Sequence, residues 1–312
     1  MSSKHGSRKV VLAALCGNLA IAITKFIAAA ITGSSAMISE GVHSTVDTTN
    51  QVLLLYGMKR AGRPASASHP FGHGRELYFW AFIVALLVFA LGAGISIYEG
   101  IAHVRHPEPM SNPLVNYIVL GISLLFEGGT WWVALREFRR HKGDLGYFEA
   151  FRRSKDPTTF TVLFEDTAAM LGLLIALAGI GAAHALQMPV LDGVASIAIG
   201  VVLAISSLLL ARETKGLLLG EAAHPHVRDA ILEIAGRDPA VRCANGVFTV
   251  QMGPSQVVAA LSAEFEDALN TPEIEACIGR IEAAVERAHP AVTVLFVKPQ
   301  TNATWRERMG TP

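Results

Sequence analysis

Five apolar runs, at residues 10–32, 78–101, 113–135, 158–183 and 189–211, each approach or exceed the ~20 residues that a helix needs to cross a bilayer. A chain that repeats such runs must satisfy its backbone inside lipid, which leaves helices packed side by side as the architecture. The composition fits: 51% of the 312 residues are apolar and only 17% are charged. The formal net charge is zero, which gives no global field for nucleic acid. Three cysteines, Cys16, Cys243 and Cys277, are too scattered for a disulfide framework or a thiolate zinc site.

A further segment, 35–56, reads SAMISEGVHSTVDTTNQVLLLY and is too polar for hydropathy to assign. Charge placement assigns it instead. Lys4, Arg8 and Lys9 precede the first run, and Lys59, Arg60, Arg63 and Arg75 follow the doubtful segment. The positive-inside rule puts both groups in the cytoplasm, so the chain crosses an even number of times between them and 35–56 spans. Arg136, Arg139, Arg140, Lys142, Arg152, Arg153 and Lys155 crowd the stretch between the fourth and fifth spans, whereas the outer connections hold only Arg105. Six spans with both termini inside are expected. The first run lacks a small-residue cleavage site and reads as a retained span rather than a signal peptide.

After Arg212 the pattern becomes polar. HPHVRDAILEIAGR and TPEIEACIGRIEAAVERAH have helical spacing, while VRCANGVFTVQMG, QVVAALSAEFED and AVTVLFVKP read as strands. The expected fold class is a polytopic α-helical membrane protein of six transmembrane helices with a C-terminal α+β (αββαβ, ferredoxin-like) domain. The expected division is a six-helix transmembrane domain at 1–212 and a cytoplasmic domain at 213–312.

Residues three, four and seven apart share a helix face, so Glu40, His43, Asp47 and Asn50 form one polar stripe on the second span. Ionisable groups in a membrane are expensive and mark ion pathways or proton relays. His43 and Asp47 offer an imidazole nitrogen and a carboxylate oxygen to a common point, a donor pair suited to a divalent transition metal. A tetrahedral site needs more, and the fifth span supplies Glu165 and Asp166 in TVLFEDTAAMLG. The plainer alternative is a His–Asp pair that joins helices by hydrogen bonding.

SSAMISEGVHSTVDTTNQ, HPFGHGRELYFW and EDTAAMLG together resemble the cation diffusion facilitators, proton-coupled exporters of zinc and related divalent metals. The resemblance covers almost the whole chain. Within the family, DPTTFTVLFEDTAAMLG is most similar to the branch of the mitochondrial zinc transporter numbered nine in human. It implies a transport site of a His or Asp plus an Asp, four residues apart, on both the second and fifth spans. His43 and Asp47 match the first pair and Asp166 matches the acid of the second, but Val162 stands four residues before it. Glu165 could substitute, although it lies about 100° around the helix from Asp166. Asn50 and Glu127 are weaker candidates, better read as supporting or packing groups.

Some family members bind a second metal at the loop corresponding to HPFGHGR. Here Ser66 takes the place of the acid, which favours a structural role for His69 and His73. In the tail, Phe296, Lys298 and Ser262 stand where ligands would be, and His224, His226 and His289 read as surface histidines.

The resemblance implies alternating-access export of Zn2+ from the cytoplasm against protons, with no cofactor and Mn2+, Fe2+ or Co2+ as possible further cargo. An imidazole whose unperturbed pKa is about 6.5 lets protons compete with metal. The implied partners are the ion, protons, the lipid bilayer and a second copy in a homodimer. No Arg- and Ser-rich transit peptide precedes the first span, so the bacterial cytoplasmic membrane is the expected location. Two alternatives stay open: a membrane-embedded metal-dependent enzyme, for which no hydrolase signature is present, and a non-transporting metal sensor or scaffold.

Overall fold

The computed structural model describes residues 3–109, 111–142, 146, 155 and 157–310. Six long helices account for the apolar part: α1 (Ser3–Thr32), α2 (Ser35–Ala61), α3 (Arg75–Arg105), α4 (Pro113–Lys142), α5 (Pro157–Leu186) and α6 (Val190–Leu219). Within α3, residues Val88–Ala93 adopt the wider π-helical turn. On length and apolarity alone, α3, Pro113–Arg136 of α4, Thr161–Leu186 of α5 and α6 qualify as membrane spans, and Gly17–Thr32 is a shorter apolar helix. The segment that hydropathy leaves unassigned is the continuous 27-residue α2. Of the basic residues that orient the chain, Arg152 and Arg153 fall outside the described residues, as do the side chains of Lys4, Arg8, Lys9, Arg140 and Lys142.

The chain divides into two compact units, one of residues 1–60 and 76–215, the other of 61–75 and 216–312. In the first, the core is built from small and aliphatic side chains such as Ala36, Met37, Leu120, Leu173, Ala176, Ile180, Ile199 and Leu203. Small residues let backbones approach, the usual device for packing helices in lipid. A Cβ placed on Gly100 of α3 would meet the Gly193 carbonyl oxygen of α6 at 2.7 Å, and one on Gly200 would meet Ile97 Cγ1 at 2.6 Å. Many large apolar side chains remain outward, Leu125, Ile122 and Val133 among them.

The second unit contains α7 (Pro225–Gly236), β1 (Val241–Gly253), β2 (Gln256–Phe265), α8 (Thr271–Ala288), β3 (Val292–Pro299) and α9 (Asn302–Met309). The sheet runs β1-β2-β3, antiparallel across the first pair and parallel across the second. Val257, Ala259, Leu261 and Ala263 alternate inward along β2. They pack in one core with Val227, Ile231 and Ala235 of α7 and Cys277, Ile281 and Val285 of α8, helix positions four apart. A capping box, Asn270 with Glu273, starts α8. The αββαβ order expected from sequence is present. Helix α9 lies beyond it, capped by Thr301 and carrying Trp305 against Gly246.

Residues 61–75 group with this second unit. Gly74 lies close to Met252 and Gln256, and Phe71 meets Phe296 edge-on at 6.4 Å between ring centroids. Within this loop, for which a structural role is expected, His69 and His73 stack at 4.3 Å, and Ser68 Oγ lies 3.0 Å from His69 Nδ1.

Candidate metal-transport site

The polar stripe of α2 is buried. Glu40 and Asn50 are fully enclosed, His43 is 1% exposed, and Asp47 keeps a partly open edge. One helical turn separates His43 from Asp47, and His43 Nδ1 lies 3.5 Å from Asp47 Oδ1, too far for a good hydrogen bond. Neither ring nitrogen of His43 meets a hydrogen-bonding group of the described residues. The simple His–Asp glue considered above is therefore not made. Burying an imidazole in this way is costly unless something else engages it.

Across from Asp47, α5 presents Glu165 and Asp166. Glu165 is buried and accepts a hydrogen bond from Asn50 Nδ2 at 2.9 Å. A cavity of about 840 Å³ opens among α1, α2, α4 and α5. Asp47, Glu127, Glu165 and Asp166 all border it, and Val162 borders it too. The helical offset between Glu165 and Asp166 does not separate them: both reach the same space. Even so, among the described residues no three His, Cys, Asp or Glu side chains close on a single point.

One charged residue of this interior escapes the sequence reading. Lys25 of α1 is completely buried, and its Nζ donates to Glu40 Oε2 at 2.9 Å, Ser44 Oγ at 2.9 Å and Glu127 Oε1 at 3.0 Å. All three ammonium protons are engaged. The available signal was a lone cation in the middle of an apolar run, where ionisable residues are rare and functional. Glu127, expected to be a supporting group, is thus half committed to Lys25 and half to the cavity, where its Oε2 has no hydrogen-bond partner.

A second polar cluster went unmentioned by the sequence. Asp192, in the first turn of α6, caps α2. Its Oδ2 accepts from Ser35 N at 2.6 Å and Ala36 N at 3.4 Å, and its Oδ1 accepts from Ser34 Oγ at 2.8 Å. A carboxylate at a helix N-terminus is favoured by the unpaired amides and the dipole together. His103 Nε2 lies 3.9 Å from the same carboxylate, and Ser196 contacts Ser39 and donates to Ser96 O at 2.9 Å.

Six long helices, four of which frame an acid-lined cavity, followed by a small α+β unit, define a polytopic membrane protein. Residues 11–219 match the family described as the cation efflux transmembrane domain. The chain belongs to the cation efflux family. It is 36% identical over 254 residues to the mouse protein named "Proton-coupled zinc antiporter SLC30A9, mitochondrial", covering 81% of this chain and 45% of that one. It is 30% identical over 256 residues to the Arabidopsis thaliana "Metal tolerance protein C4", covering 81% and 56%. Over nearly full length, 97% and 96%, it is 26% identical to the "Cation-efflux pump FieF" of Cronobacter sakazakii. The chain spans about half the length of the animal and plant relatives it matches. The named relatives include antiporters and efflux pumps, and the family is one of transporters rather than enzymes.

Proposed function

We propose that this protein exports divalent transition metal, zinc foremost, from the cytoplasm in exchange for protons by alternating access. The observation that carries the reading is the cavity that Asp47 of α2 shares with Glu165 and Asp166 of α5, one turn from the unpartnered imidazole of His43. Imidazole nitrogen with carboxylate oxygens is a donor set suited to zinc, and manganese, iron and cobalt fit an acid-rich version of it. The proposed cargo ligands are His43, Asp47, Asp166 and Glu165, with Glu165 supplying what Val162 cannot. Asn50 holds Glu165 toward α2 and so favours that role.

Exchange follows from the chemistry of these ligands. Metal binds deprotonated carboxylate and neutral imidazole, so loading releases protons and protonation on the far side releases metal. The proposed division is a transport part at 1–212 and a cytoplasmic part at 213–312, in a homodimer in the bacterial cytoplasmic membrane with both termini in the cytoplasm. The named mitochondrial and bacterial relatives are the support for proton-coupled zinc exchange and for cation efflux respectively.

The test is Zn2+ uptake into vesicles carrying purified protein, with internal pH followed at the same time. Asp47→Ala and Asp166→Ala are expected to abolish both zinc entry and the accompanying proton movement. Wild-type flux in both variants would overturn the assignment. Competition by Mn2+, Fe2+ and Co2+ fixes the order of preference.

A further inference from the structure

Lys25 brings a fixed cation to the edge of the proposed cargo cavity. Its ammonium is caged by three oxygens at 2.9–3.0 Å that come from two other helices: Glu40 and Ser44 of α2 and Glu127 of α4. Glu127 is the shared element, because it borders the cavity with Asp47, Glu165 and Asp166 while one of its oxygens is bound to Lys25. Glu40 is enclosed on its other side, with Oε1 2.6 Å from where a Cβ on Gly172 of α5 would stand.

Four carboxylates facing one cavity would make an oxygen-rich site, the kind that suits manganese, magnesium and calcium. A site in which one of these acids is already neutralised leaves a smaller acid set beside the imidazole, the mixture that suits zinc. The charge of Lys25 is not screened by bulk water, so its hold on the Glu127 carboxylate is strong.

We propose that Lys25 is a specificity-determining residue of the transport site, a tethered cation that neutralises Glu127 and holds one of its two oxygens away from the cargo, and thereby favours zinc over harder, oxygen-preferring divalent ions. This rests on the cargo reading above and assigns Lys25 no contact with the ion. Lys25 acts through Glu127.

The experiment measures the ratio of Zn2+ to Mn2+ transport in competition, in vesicles containing wild-type protein, Lys25→Gln, and Lys25→Gln combined with Glu127→Gln. Glutamine keeps hydrogen-bond donors for Glu40 and Ser44 while removing the charge. Lys25→Gln is expected to lower the Zn2+ preference by about tenfold, which corresponds to about 1.4 kcal/mol of differential binding. The double variant, which removes the freed acid as well, is expected to return to within about threefold of wild type, as coupling between neighbours requires. An unchanged ratio in Lys25→Gln, or an uncorrected ratio in the double variant, overturns the proposal while wild-type zinc flux leaves the cargo reading standing. Failure of both variants to fold makes Lys25 a structural tether and overturns it as well. Wild-type protein that moves neither ion takes down both readings.

Discussion

Asn50 Nδ2 donates to Glu165 Oε1 at 2.9 Å, so the last polar residue of the α2 stripe fixes the rotation of the first acid on α5. This hydrogen bond turns a residue that helical geometry places off the expected face into a neighbour of Asp47 across the cavity. It also gives a buried carboxylate the partner it needs in a medium without water.

Asn50→Ala removes that partner and leaves Glu165 enclosed without it. The variant is expected to lose about 1–3 kcal/mol of stability, the usual cost of an unsatisfied buried polar group. It is also expected to bind Zn2+ more weakly than wild type. Thermal unfolding in detergent and zinc titration check the two parts separately, and wild-type zinc affinity would show that Asn50 does not position Glu165.

The Asp192 cap makes an independent prediction at another place in the bundle. Asp192→Ala strands the amide of Ser35 and the hydroxyl of Ser34, both buried. Loss of about 1–2 kcal/mol is expected, at the upper end for helix caps because the acceptor is charged. Asp192→Asn keeps one acceptor oxygen, for the Ser35 amide, and should lose less. Equal losses in the two variants would mean that the negative charge, not the hydrogen-bond acceptor, carries the cap.

Packing of α3 against α6 depends on the absence of side chains at Gly100 and Gly193. Gly193→Val puts branched carbons against Val104 and the Gly100 carbonyl, where backbone cannot yield. A destabilisation of about 1–3 kcal/mol or more is expected from overpacking, measured by thermal unfolding in detergent. Gly236→Ala serves as the control, because nothing lies within 4 Å of its added carbon.

In the second unit, Arg280 donates to both oxygens of Asp238 at 2.8 and 2.9 Å and holds that carboxyl down at about 2. A depressed folded-state value means that the contribution is present above the ordinary carboxylate range of about 4 and fades as pH falls through the folded value. Arg280 is half exposed, so solvent screening keeps the effect small. The melting temperature of wild-type protein should fall more steeply between about pH 4 and pH 2 than that of Arg280→Ala. Parallel curves would refute the linkage.

The helices of the bundle were legible because each carries its own length and apolarity, and α2 was legible for a different reason. Its stripe of Glu40, His43, Asp47 and Asn50 defeats hydropathy, but the basic residues on either side of it require a crossing. The His43–Asp47 pairing was equally local, since a spacing of four fixes a shared face. What faces Asp47 from elsewhere depends on the rotation of α5 and on which helices adjoin, and no local pattern encodes that. Lys25 illustrates the limit: it went unread in its apolar run, and only the packed bundle identifies Glu40 and Glu127 as what offsets its burial. Helix α9 was missed because NATWRERM has no apolar periodicity. It is held by the Thr301 cap and by one tryptophan seated on a glycine.

The wide turn at Val88–Ala93 has its own effect on α3. A π turn accommodates one residue more than the α-helical repeat requires. The surplus residue offsets the angular phase of everything after it by roughly 100°. The surface holding Tyr78, Ala81 and Val84 and the surface holding Ser96 and Gly100 are therefore indexed independently around a single rod. Deleting the surplus residue would close that turn to an ordinary α-helical one and leave both surfaces facing as they do, whereas deleting a residue elsewhere between them would rotate the far half out of register with Gly193.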